Sequence, residues 1–238
     1  MEKIVKAKSR SGIHEAIVEW LKDKPCGTIL DAPAGYGNLS KKLHEMGFQV
    51  TCGEIEPEIF AVDDLKCIYT DLNKQIEAPD ESFDYVCCVD GIEHMTDPYA
   101  AVKEFSRVLK AGGTGIFSIP NYSNIEKRFS FLMTGYLTKP KNREYFEKDG
   151  RNLYNFHNSP LTITLLNLMF EINDLKIAEI LNDKKKKKQF LFYPFVLLLR
   201  IIAVFTSNKK RERHQTDLTL RQEVIMGGNT LIFIVKKQ

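Results

Sequence analysis

Thr28-Ile29-Leu30-Asp31-Ala32-Pro33-Ala34-Gly35-Tyr36-Gly37 is the stretch that decides the fold. A short apolar run ends at an acid, and a turn with two glycines follows. A helical stretch from about Asn38 to Met46, closed by Gly47, comes next. Strand, glycine turn and helix form the opening unit of an open sheet whose ligands sit outside the carboxyl ends of its strands. Glycines there let the backbone turn tightly and come close to a bound molecule.

The alternation continues on both sides. Before it, from Ser11, the apolar residues Ile13, Ile17, Val18 and Leu21 recur at helical spacing. After it, Phe48 to Gly53 reads as a second strand ending at Glu54, and Lys66 to Tyr69 as a third ending before Asp71. Phe83 to Val89 is a fourth, apolar enough to be buried on both faces. A helix from about Pro98 to Leu109 is expected to stop at Gly112-Gly113. A fifth strand, Thr114 to Ile119, ends at Pro120. Beyond Pro120 the pattern loosens into a helix over Leu161 to Phe170, a sixth strand over Leu175 to Leu181 and a last over Thr230 to Val235. Strands alternating with helices predict an α/β fold, with a mostly parallel sheet and helices on both faces.

The chain has 238 residues and a net charge of +3, which suits one globular domain over 1–238 and singles out no nucleic-acid partner. The basic clusters also lack the interleaved aromatics of a base-stacking platform. Five cysteines, none in a C-x-x-C pair, read as buried free thiols in a reducing compartment. Adjacent Cys87 and Cys88 should point to opposite faces of their strand. Met1 to Gly12 is polar and basic with no apolar signal-peptide core, so the cytoplasm is the expected location.

Three acids carry the first chemical signal. Asp31, Glu54 and Asp71 end strands one, two and three, so all three should line one edge of the sheet. Acids gathered in one place repel unless something cationic balances them. A ligand with an ammonium group, a ribose diol and an adenine amine suits them in turn. Glu54 accepts from both ribose hydroxyls, Asp71 meets the adenine amine, and Asp31 lies near the amino-acid portion and organises the loop.

These residues resemble a known family. Asp31-Ala32-Pro33-Ala34-Gly35-Tyr36-Gly37 is similar to the D-x-x-x-G-x-G motif of class I S-adenosylmethionine-dependent methyltransferases. Phe83 to His94 resembles their fourth motif, and Arg107-Val108-Leu109-Lys110-Ala111-Gly112-Gly113 with Ile119-Pro120-Asn121 their fifth-strand segment. The match runs over roughly residues 28 to 121. It is nearest the ubiquinone/menaquinone-biosynthesis-like, methyltransferase type 11 branch, which includes small-molecule O- and C-methyltransferases. Ala32 stands where the family more usually has glycine, and Glu54 where it often has aspartate. The resemblance implies a Rossmann-like seven-stranded sheet with an antiparallel last strand. It also implies S-adenosyl-L-methionine as methyl donor, held by Asp31, Ala34, Gly35, Gly37, Glu54, Ile55, Asp71, Leu72, Val89 and Asp90.

Methyl transfer gains most from holding donor and acceptor in line, and an oxygen or nitrogen acceptor also needs a base. His94, just past strand four, is the expected base, with Glu93 orienting it; the bland alternative is a histidine that caps a loop. In some quinone O-methyltransferases, the resemblance implies, an acid-x-x-Glu-His string binds a divalent metal, and Asp90, Glu93 and His94 match it. The favoured expectation is no metal. Where His157 stands, just before a helix, the resemblance implies a histidine facing the acceptor pocket; the favoured reading is helix entry, with Ser159 as N-cap and Pro160 at the first helical position.

Two segments should set the acceptor. Residues 121–160 form a lid rich in aromatics (Tyr122, Phe129, Phe131, Tyr136, Tyr145, Phe146, Tyr154 and Phe156) and without clear period. Residues 184–213 form an insert between the last two strands. Lys184 to Lys188 precede an almost wholly apolar run, Phe190 to Phe205, interrupted by Arg200. Lys209, Lys210, Arg211 and Arg213 follow. The run is short of the ~20 residues that cross a bilayer, and its basic ends suit a helix lying on an anionic membrane. A core helix or a dimer interface is the alternative. The expected function is therefore methyl transfer, O-methylation favoured, to a small acceptor, with an apolar or lipid-linked one in keeping with the insert. The competing readings are a non-catalytic, membrane-associated subunit and an NAD-dependent dehydrogenase. The dehydrogenase wants G-x-G-x-x-G, and Ser40 stands where its third glycine would fall.

Overall fold

The structure is a computed structural model that describes residues 12–137, 143–148, 156–184 and 186–238. The N-terminal reading of Met1 to Ser11, Tyr154 of the lid and Lys185 of the lysine run lie outside the described residues, as does the side chain of Tyr145.

Seven strands form one sheet: β1 (Thr28–Asp31), β2 (Gln49–Glu54), β3 (Cys67–Tyr69), β4 (Phe83–Cys88), β5 (Leu109–Pro120), β6 (Leu175–Asn182) and β7 (Thr230–Lys237). Their order is β3-β2-β1-β4-β5-β7-β6. Pairs among β1 to β5 are parallel, whereas β7 runs antiparallel to β5 and β6. The order reverses between β1 and β4, which opens a crevice at their carboxyl ends.

Helices cover both faces. Ile13, Ile17 and Leu21 of α1 (Ile13–Leu21) and Leu39 and Leu43 of α2 (Asn38–Glu45) pack on one. Val102, Phe105 and Val108 of α3 (Pro98–Val108) pack on the other. The strands feed both cores by alternation. In β7, Leu231, Phe233 and Val235 join the α3 side, and Ile232 and Ile234 the α1 side. Cys87 and Cys88 divide between the two faces in the same way. All five cysteines are free, but only Cys52, Cys87 and Cys88 are buried; Cys26 is exposed.

The structure corrects several local readings. The helix α3 ends at Val108, and Gly112-Gly113 lie inside β5, where Leu109 already pairs with Phe83. Strand pairing captured residues that local glycine preference assigned to a helix stop. The lid contains α4 (Ile125–Thr134) and α5 (Arg143–Lys148). The next helix, α6 (Ile163–Glu171), starts later than Pro160. Its cap is Thr162, whose side chain accepts from the Leu165 amide, while the Ser159 hydroxyl donates to the Met95 carbonyl at 3.0 Å.

The connection from β6 to β7 is longer than the insert expected over 184–213, and its described residues form a 3₁₀ turn (Lys187–Phe192) and four helices: α7 (Tyr193–Val204), α8 (Asn208–Arg213), α9 (Thr216–Thr219) and α10 (Gln222–Ile225). Its base is closed by hydrogen bonds. The Gly228 amide donates to Asn182 Oδ1, the Thr230 amide to Asp183 Oδ1, and Gln189 Nε2 to the Gly227 carbonyl. The lid leans on this insert. Phe129 of α4 meets Phe192 and Phe195 with ring centroids 5.1 and 4.7 Å apart. Arg128, drawn from water, donates to the Ser123 and Thr219 carbonyls at 2.7 Å. No helix among the described residues is long and apolar enough to cross a membrane.

Candidate active site

A cleft of about 400 Å³ opens at the carboxyl ends of β1, β2 and β4. Asp31, Ala34, Gly35, Glu54, Ile55, Val89, Asp90 and His94 all line it. So do residues that the sequence did not single out for it: His14, Tyr36, Asn38, Glu56, Pro120 and Thr230. Glu93, expected to orient His94, and His157, for which the sequence favours helix entry over an acceptor-pocket role, line it as well. Gly37, Asp71 and Leu72 stand outside the lining.

The glycine loop is held by the strands beneath it. The Ala32 amide donates to the Cys87 carbonyl and the Ala34 amide to the Gly53 carbonyl. Glu54 Oε2 accepts from the Gly35 amide at 2.7 Å, and Oε1 from the Ile55 amide at 2.9 Å. The carboxylate thus links the ends of β1 and β2 while keeping acceptor capacity for further donors. Gly35 and Gly37 have φ of +56° and +88°, a conformation that other residues adopt at a cost. At Gly37 a Cβ would also stand 2.6 Å from Phe60 and Val62 side-chain atoms. Gly91 serves the loop from the other side, because a Cβ there would lie 2.4 Å from Pro33 Cδ.

Asp31 is 1% exposed, and the Ser40 hydroxyl donates to its Oδ2 at 2.6 Å. Burial pushes its carboxyl up to about 7, against the pull of Ser40, and Glu54 nearby adds to the rise. Asp90 is held with φ +48°, an uncommon conformation for a residue other than glycine, and Ser118 clamps it. The Asp90 amide donates to Ser118 Oγ at 2.8 Å and the Ser118 hydroxyl to Asp90 Oδ1 at 3.0 Å.

Asp71 has partners of its own. The Asn73 amide and side chain donate to Oδ1 at 3.0 and 3.2 Å, and Lys74 Nζ lies 3.2 Å from Oδ2. Leu72 packs into the core beside α3.

Opposite the loop, two histidines meet. His94 ends a 3₁₀ turn (Ile92–His94), and its ring stands edge-on to that of His157, centroids 4.9 Å apart. The Tyr122 hydroxyl lies 3.1 Å from His157 Nδ1. The segment that carries His157 is docked here by three bonds: the Ser159 amide to the Glu93 carbonyl, the Ser159 hydroxyl to the Met95 carbonyl, and Asn158 Nδ2 to the His94 carbonyl. Ligand atoms of Glu93, His94 and His157 all fall within 4.8 Å of one another, close enough to share a metal ion. That grouping puts His157 where the sequence pattern offered Asp90. From α1, His14 reaches the cleft, where burial and then the charge of Lys42 hold its imidazole below the ordinary range.

The arrangement has two walls. One offers buried carboxylates and loop amides for a polar, cationic ligand; the other offers imidazoles for proton transfer or metal ligation. Between them is room for a reacting centre.

Comparison with known proteins agrees with this architecture. Residues 30–117 match the family described as a methyltransferase domain. The chain is 26% identical over 134 residues to a ubiquinone biosynthesis O-methyltransferase of Xanthomonas campestris pv. campestris, covering 52% of this chain and 56% of that one. It is 30% identical over 102 residues to the protein of the same name from Xanthomonas oryzae pv. oryzae, covering 39% and 43%. The matches therefore span about half the length of these relatives. Its fold is similar to that of a SAM-dependent methyltransferase from Archaeoglobus fulgidus, with a TM-score of 0.57, 14% identity and 94% of each chain covered. With a methyltransferase-domain match along 30–117, β7 antiparallel in a seven-stranded sheet and its loop at the crevice, the chain has the fold of the SAM-dependent methyltransferases it resembles.

Proposed function

We propose that this chain transfers the methyl group of S-adenosylmethionine to an oxygen of a small, apolar acceptor. The observation that carries the reading is the placement of buried Asp31 and Glu54 beside the Gly35 loop, with His94 and His157 across the same cleft. The donor supplies a methyl carbon on a positively charged sulfur. Glu54 accepts from the ribose hydroxyls. Asp31, at the methionine side, balances the ammonium group, and the left-handed Gly35 gives the ligand close access to the backbone. His94 takes the proton of the acceptor hydroxyl as the oxygen attacks, with His157 beside it held by Tyr122. Positioning and this proton transfer supply the rate.

A second reading of the same wall is favoured by one observation, the convergence of Glu93, His94 and His157. A divalent ion held there would favour the ionised form of an acceptor hydroxyl. Activity that a chelator abolishes and added metal restores would select this reading over a free-base role for His94.

An apolar acceptor fits the aromatic Tyr122 beside the histidines. A lipid-linked one fits the exposed apolar helix of the insert, with the chain peripheral on the inner face of a membrane. Calorimetric titration with S-adenosylmethionine and separately with NADH tests the donor assignment. The expected result is binding of the sulfonium donor, weakened in Glu54→Ala, and none of the nicotinamide. No heat with S-adenosylmethionine would overturn the proposal. Donor binding with no turnover on any quinol or phenol would favour a non-catalytic subunit.

A further inference from the structure

The outward face of α7 is apolar along its whole length. Val196 and Ala203 are buried, and Leu199 and Arg200 are half-buried, which marks one inward stripe at helical spacing. Everything else turns outward: Phe195, Leu197, Leu198, Ile201, Ile202 and Val204 are all exposed, and Phe205 just beyond the helix is 85% exposed. Arg200, which breaks the apolar run in the sequence, does not break this face. Its guanidinium is turned towards α10, where it donates to Gln222 Oε1 at 2.7 Å. A surface of this kind on a lone chain marks an interaction site.

Charge decides the occupant. Exposed Lys187 and Lys188 precede the helix, and exposed Lys209, Lys210 and Arg213 follow it. Two nearby cations are already answered, Lys186 by Glu126 and Arg211 by Asp217. A second copy of this chain fits poorly. Packing α7 against its twin, parallel or antiparallel, sets one basic end beside another, and like charges across an interface are costly. An anionic lipid surface takes both features at once, the basic ends among headgroups and the apolar face in the acyl boundary. Twelve residues rise about 18 Å, against a hydrocarbon core of about 30 Å, so the helix lies in the surface and does not span it.

We propose that α7 and its basic flanks are a docking surface for an anionic membrane. The surface connects directly to the cleft. Val196 packs with Ile225 and Ile125, and the neighbouring Val224 carbonyl accepts from Asn121 Nδ2 at 2.9 Å, one residue after cleft-lining Pro120. That the acceptor is drawn from the membrane rests on the methyltransferase reading; docking does not.

Flotation of the full chain with vesicles of phosphatidylcholine, with and without phosphatidylglycerol, is the test. The wild type should float only with the anionic vesicles. Leu198→Glu/Ile202→Glu should abolish flotation, and Lys187→Gln/Lys188→Gln should weaken it roughly 30-fold. All these side chains are exposed, so S-adenosylmethionine affinity, measured alongside, should stay at the wild-type value. Wild-type protein that stays at the bottom with anionic vesicles overturns the proposal. So does flotation that the Leu198→Glu/Ile202→Glu variant retains. A dimer in sedimentation that this variant disrupts, without flotation, gives the face to a second copy instead. Loss of donor binding in the wild type would count against the methyltransferase reading and leave docking standing.

Discussion

The Ser40 hydroxyl donates a 2.6 Å hydrogen bond to Asp31 Oδ2 where both are buried, one turn into α2 from the glycine loop. Asp31 is thereby fixed at the end of β1 with a carboxyl pushed up to about 7 by its burial. Between about pH 4 and 7 the folded chain keeps this proton and the unfolded chain has lost it. Stability from this group is therefore present at low pH and declines as pH rises through that window. Thermal melts of the ligand-free protein should show wild type losing ground to Asp31→Asn between pH 5 and 7.5. A cationic donor reverses the preference, since it favours the carboxylate. Affinity for S-adenosylmethionine should accordingly rise with pH up to about 7 in the wild type and stay flat in Asp31→Asn.

Glu54 binds the Gly35 and Ile55 amides and should bind the donor ribose. Hydrogen bonds to charged groups are worth about 1.5–3 kcal/mol, so Glu54→Ala should weaken donor binding by roughly 10- to 150-fold. Calorimetry reads this directly. Glu54→Gln should retain part of the ribose contact and lose less.

Gly91 is a steric requirement of the loop. A Cβ there would meet Pro33 Cδ at 2.4 Å and Cys88 Sγ at 3.1 Å. Gly91→Ala should displace Pro33, cost about 1–3 kcal/mol of stability and reduce donor affinity. Gly35→Ala is a useful contrast. Its Cβ meets nothing within 4 Å, so only its φ of +56° is penalised, at about 1 kcal/mol. Chemical denaturation of the two variants should rank them in that order.

His94→Gln should lower kcat by roughly 10²- to 10⁴-fold if it is the base, with donor affinity unchanged. Tyr122→Phe should act more gently, moving the pH profile of kcat through its 3.1 Å contact with His157. Equal kcat in His94→Gln and wild type on the same acceptor would remove His94 from the chemistry.

Much of the fold was legible because it is local. Each parallel strand shows an apolar run ended by an acid or a turn, and Asp31 and Glu54 could be placed at one edge from strand order alone. Where two local signals competed, reading one of them failed. Gly112-Gly113 looked like a helix stop, but pairing of Leu109 with Phe83 took the segment into β5. Ser159-Pro160 looked like a helix start, but the Ser159 hydroxyl is committed to Met95 and Thr162 caps α6. The aromatic lid divides its attention: Tyr122 meets His157, while Phe129 packs on the insert.

By itself the sequence determined the strand–loop–helix unit and the carboxylates at the strand ends, whose motifs resemble those of the methyltransferases. These follow from periodicity and spacing, which act over a few residues. Only the tertiary structure decided that His14 of α1 reaches the cleft, that His157 meets His94, and that Arg200 turns to Gln222 of α10 and leaves the outer face of α7 unbroken. Those outcomes depend on how helices far apart in the chain are rotated when their apolar stripes pack. A single strand of text records the stripe but not the partner that fixes its angle.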